Sequence, residues 1–248
     1  MKSLFKVNFI ILFVLVSIQA LQSQQLNDSQ KFGTSKDLKI SNTQVIYDEN
    51  LAHFIFSIEV NGKAGASIPK TLGQMDGAPV LGYVFPTSLS PTNVGFSDTE
   101  GIVALALTSH PDFDDTPLCD ENNNADFADD GIVWHPHWVV LNKDERVAGG
   151  LSVKQFDKED ASVKLPPTNP GMPMYMDSPG FPVVTNKNKI LVIVPGYRMN
   201  HVKDFQFDAV TAYMQVNTSD NSRPLLGVYK VYSVASGELS LPYKVKIQ

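Results

Sequence analysis

A chain of 248 residues suits one large β domain or two small ones, and its single cysteine, Cys119, excludes an intrachain disulfide. Stability must therefore come from core burial, aided or not by a bound ion. The formal net charge of −6, with 26 acidic and 20 basic side chains, offers no basic footprint for a phosphate backbone and argues against nucleic acid as a partner.

The N-terminus carries Lys2 and Lys6, an apolar run from Phe9 to Val16, and small and polar residues as far as Gln25. Residues 1–25 have the form of a signal peptide, with cleavage expected after Ala20 or Ser23. The run is too short for a permanent span, and no second apolar run of about 18 residues follows, so no stable membrane span is expected. The expected localisation is secreted, in a periplasm or outside the cell. Loss of Lys2 and Lys6 would take the net charge to −8. Residues 26–37, polar and rich in Gln, Ser and Asn, read as a flexible leader, and residues 38–248 as a single β domain.

From Leu38 onward the chain breaks into short runs of alternating or β-branched residues. They are Gln44 to Tyr47, Ala52 to Val60, Val80 to Phe85, Ile102 to Thr108, Ile132 to Leu141, Lys189 to Val194, Phe205 to Val216, Leu225 to Val234 and Tyr243 to Ile247, separated by Gly, Pro, Asn and Asp. Only Phe205 to Tyr213 hints at a helical period. The expected fold is all-β: a single-domain β-sandwich or open barrel of about nine strands with long irregular loops. Gly149-Gly150 and the prolines from Pro166 to Pro182 mark the longest irregular region, which cannot supply an interior strand because proline removes ladder donors. Two glycosylation-type sequons, Asn27-Asp28-Ser29 and Asn217-Thr218-Ser219, matter only in a eukaryotic secretory pathway.

The charge is unevenly placed. Between Asp112 and Asp130 lie eight carboxylates (Asp112, Asp114, Asp115, Asp120, Glu121, Asp126, Asp129, Asp130) and no Lys or Arg. Such crowding is relieved by full solvation or by a bound cation. Asp120-x-Asn122-x-Asn124-x-Asp126 spaces oxygen side chains at alternate positions, similar to the first half of an EF-hand or dockerin calcium loop. Ala125 stands where that loop has its turn glycine, and Gly131 where it has its last carboxylate, although Asp129 and Asp130 lie just before it. A calcium-like site on Asp120, Asn122, Asn124, Asp126 and Asp130 is weighed against a solvated acidic loop rich in turn residues.

Three of the five histidines bracket this stretch: His110 before it, His135 and His137 after it. In Val133-Trp134-His135-Pro136-His137-Trp138-Val139, strand alternation puts both histidines on one face, with Trp134 and Trp138 on the other. A His-x-His strand pair is how several β-built zinc and copper sites, including those of carbonic anhydrases and cupins, supply two ligands. Pro136 points to an edge or bulge, where a site is accessible. His110, which ends the preceding run, is the third candidate ligand, with Asp112, Asp114 or Asp115 to complete the shell. His53 and His201 have no local feature that draws them in. The bland alternative is a pair of half-buried histidines satisfied by carboxylates. The two tryptophans are expected in core packing rather than on a carbohydrate platform.

Met172, Met174 and Met176 alternate in a proline-rich segment; core cover is the preferred reading, and three thioethers for a soft ion such as Cu(I) the other. Cys119 sits among carboxylates that oppose thiolate formation, so a catalytic thiol is not expected. Tyr197, Arg198 and His201 follow an apolar run and are weak pocket candidates. Hydrolase, nucleotide and metalloprotease signatures are absent. The sequence thus points to a secreted metal-binding β protein, with zinc or copper at the histidines and calcium at the acidic loop, serving metal-assisted hydrolysis or hydration, or metal carriage. The rival is a non-catalytic calcium-stabilised adhesion module for a glycan or surface protein.

Overall fold

The computed structural model describes residues 29–110, 125 and 133–248. The chain divides into two units, residues 1–35 and 36–248. The segment expected to be a signal peptide and most of the acidic stretch lie outside the described residues. In the first unit the described part holds a 3-10 turn at Phe32–Thr34.

The second unit is all-β. Its described strands are β1 (Ile40–Asp48), β2 (His53–Val60), β3 (Pro79–Pro86), β4 (Ile102–Ser109), β5 (His135–Lys143), β6 (Leu151–Val153), β7 (Met176–Asp177), β8 (Val183–Asn186), β9 (Lys189–Pro195), β10 (Gln206–Phe207), β11 (Val210–Val216), β12 (Leu226–Val234), β13 (Tyr243–Lys244) and β14 (Lys246–Ile247). The order β4-β3-β11-β12-β6-β5 closes on itself through a β4–β5 ladder, giving a six-stranded barrel, with β7 added beside β5. A five-stranded sheet, β14-β1-β2-β9-β8, stands apart in the pairing. Phe205 to Tyr213 is strand and connection rather than helix, because β11 pairs with β3 on one side and β12 on the other.

The burial patterns explain which strand goes where. In β9, Lys-Ile-Leu-Val-Ile-Val-Pro, every second residue is buried, as expected when one face meets the core. In β3 and β5 nearly every residue is buried, as expected when both faces are covered. One face of these strands fills the barrel: Val84, Ala104, Ala106, Val139, Leu141, Ala212 and Met214 belong to one apolar cluster. Gly82 follows the same logic, since a Cβ there would sit 2.6 Å from the Met214 methyl. The other face meets the second sheet. Phe56 of β2 packs edge-on against Phe85 of β3 (ring centroids 5.3 Å) and Trp138 of β5 (6.2 Å).

β5 has β4 along one side and is shared on the other, by β7 at Trp138 and Val139 and by β6 from Leu141. Pro136 therefore sits where no described strand needs a donor on that side, as its chemistry requires. Among the described residues, no helix is long and apolar enough to cross a membrane.

A candidate metal centre at one end of the barrel

Register decides the centre. In the β4–β5 ladder Ala106 faces His137 and Thr108 faces His135. Alternation keeps Ala106, Thr108 and His110 on the barrel-facing side of one strand and His135, His137 and Val139 on that of the next. The three imidazoles meet: ring centroids are 4.6 Å apart for His110 and His135, 4.8 Å for His135 and His137, and 6.0 Å for His110 and His137. One ring nitrogen from each can be chosen so that all three lie within 4.8 Å of one another, an arrangement that can hold a metal ion. The expected accessibility does not hold, for His110, His135 and His137 are only 2%, 0% and 2% exposed.

Hydrogen bonds orient the rings. His135 Nδ1–H donates to the Val133 carbonyl at 2.6 Å, which in the neutral ring leaves Nε2 as the nitrogen able to accept a proton or a metal. His110 Nε2 lies 2.8 Å from that atom, so one proton is shared between the two ring nitrogens. A metal ion bound by both would replace that proton. Two nitrogens around tetrahedral zinc lie about 3.4 Å apart, so a small outward shift of one ring suffices. His137 Nδ1 is 3.0 Å from Ser178 Oγ, each one residue from the Trp138–Asp177 pair of β5 and β7. A carbonyl and a hydroxyl holding the outer nitrogens is the usual support for ligating histidines.

Two further observations fit an occupant. Thr108 Oγ1 is buried without a hydrogen-bond partner among the described residues, and the Thr108 side chain lines two voids beside His137. An orphaned hydroxyl of this kind costs stability unless something else meets it. One void, about 70 Å³, lies among Ala106, Thr108, His137, Val139, Met176, Ala212 and further aliphatic side chains. The other, about 20 Å³, is shared by His110 and His137 with Met172, Met174 and Met176.

Other candidates fall elsewhere. Asp112, Asp114, Asp115, Asp120, Asn122, Asn124, Asp126, Asp130 and Cys119 lie outside the described residues. Ala125, within the acidic stretch, has a φ of 65°, the left-handed conformation for which calcium loops use glycine. His53 and His201 are not part of the histidine group. Trp134 and Trp138 are core residues at 8% and 0% exposure, and Trp134 Nε1–H donates to the Gly65 carbonyl at 3.1 Å. Arg198 reaches the fully buried Asp177, 3.5 Å away, on the strand that precedes Ser178. Burial pushes the Asp177 carboxyl upward, while the Thr168 hydroxyl and the Arg198 charge pull it back.

Sequence reasoning found the three histidines and missed their supports. Thr108 was within reach, two residues before His110 and so on the same face. Ser178 was not, because no local pattern ties it to a histidine 41 residues earlier. Compared with known proteins, the chain matches no family model, no curated protein and no solved structure.

Proposed function

We propose that this is a secreted metal-binding protein whose ion is a transition metal held by His110, His135 and His137. The observation that carries the reading is the convergence of three buried imidazoles, with His135 held as a lone-pair donor by its own backbone neighbour. Imidazole donors suit zinc, copper, iron and nickel, whereas calcium and magnesium take oxygen. The signal-like N-terminus supports export. Holding or carrying the ion is preferred over turnover of a bulky substrate, because the ligands are buried and a void of about 70 Å³ admits a molecule of only a few heavy atoms. Were the ion to activate water, the Thr108 hydroxyl, which has no partner among the described residues and lines the same voids as His137, would be the candidate to hydrogen-bond to it.

The test is elemental analysis of protein purified without chelator, beside the His135→Ala/His137→Ala variant. The expected result is about one equivalent of zinc or copper, lost in the variant. Calcium alone, unchanged in the variant, would overturn the histidine reading and favour the calcium-stabilised adhesion module, for which the Ala125 backbone is the supporting observation.

A further inference from the structure

The histidine cluster has a wall of sulfur. In Met172-Pro173-Met174-Tyr175-Met176-Asp177 the methionines occupy alternate positions, and all three pack against one core cluster. Met176 pairs with Val139 across β5 and β7, and Met174 bridges to Gln155. Tyr175, between them, packs away against Phe96 and Phe156 at 5.9 and 5.6 Å. Met174 and Met176 are 1% and 4% exposed, and Met172 is partly buried on the same core. All three line the void of about 20 Å³ that His110 and His137 also line. Its volume is that of roughly one water molecule or one ion.

The donor chemistry of this void is selective. Imidazoles and thioethers are uncharged, and among the described residues no carboxylate belongs to the ligand group. The cost of moving an ion out of water rises with the square of its charge, so a monovalent ion pays about a quarter of the penalty of a divalent one of equal size. Thioether sulfur is a soft donor that favours Cu(I), while hard cations reject it.

Resting on the histidine reading above, we propose that the ion is cuprous copper, bound by the histidine cluster together with thioether sulfur from Met172, Met174 or Met176. The test is anaerobic competition for Cu(I) against bicinchoninate, with Zn(II) binding measured in parallel, on the wild-type chain and on Met172→Leu, Met174→Leu and Met176→Leu, singly and combined. These swaps conserve volume and are tolerated in cores. X-ray absorption at the copper edge of the wild-type complex reads the ligand atoms directly, whether or not the combined variant folds. The expected result is a copper–sulfur shell in the wild type and a loss of Cu(I) affinity on the order of tenfold or more in at least one variant, with Zn(II) affinity unchanged. A nitrogen-only shell, or Cu(I) affinity unaltered in every variant, would overturn the thioether proposal and leave the histidine site standing. Binding of neither ion by the wild type would overturn both.

Discussion

At the scale of the residue, the centre shows how two atoms can matter more than a motif. His135 is committed by the carbonyl two residues before it, and Thr108 carries a buried hydroxyl with no partner among the described residues. Thr108→Val is nearly isosteric and removes that hydroxyl. In metal-free protein it is expected to raise the stability by about 1 kcal/mol, read from the urea midpoint. Destabilisation of similar size would show that the hydroxyl is satisfied in solution. The residue types of the centre were legible in the sequence because His110, His135 and His137 bracket one charged stretch. Their supports were not, because a hydroxyl or carbonyl carries no signature until the fold gives it a neighbour.

At the scale of the element, the β5–β6 corner fixes how the strand bearing two histidines leaves the barrel. Asp144 accepts hydrogen bonds from Arg146 N, Nε and Nη2 at 3.0, 2.8 and 2.6 Å and from Ser152 Oγ of β6 at 2.7 Å. Gly149 closes the corner so tightly that a Cβ would stand 2.5 Å from the Val228 carbonyl oxygen. The side-chain bonds from Arg146 hold the Asp144 carboxyl well below the usual carboxylate range. A carboxyl depressed in the folded state stabilises the fold above its unfolded value of about 3.9, and that contribution is lost as the pH falls toward the folded value. Arg146→Met is therefore expected to lower the denaturant midpoint most above about pH 5, with the gap to wild type narrowing below about pH 4. A gap independent of pH would show that Arg146 acts through packing alone. The main strands were readable from alternation and from β-branched and aromatic runs. The short β6, β7 and β8 were not, since they are defined by partners: β7 exists because Met176 and Asp177 lie against Val139 and Trp138, not because of their own propensity.

At the scale of the whole molecule, the cluster ties β4 to β5 across the seam that closes the barrel, so an ion bound there stabilises the fold as a unit. A metal bound at one hundred times its Kd and absent from the unfolded chain adds about 2.7 kcal/mol. Protein stripped with chelator is expected to melt lower than protein reloaded with copper or zinc, and the His135→Ala/His137→Ala variant to show no such difference in a thermal scan. An equal metal-induced shift in the variant would place the ion elsewhere. By itself the sequence determined the all-β class, the same-face placement of His135 and His137, and the inward fate of both tryptophans, because strand alternation and proline chemistry are local rules that need no partner. Only the tertiary structure decided that the barrel closes through β4 and β5, that His110 reaches its partners across that seam, and that three methionines from a proline-rich segment border the same void. The physical reason is register: the ladder that sets Thr108 opposite His135 is a pairing between strands, fixed by which apolar faces can be buried together, and no single stretch of the chain contains it.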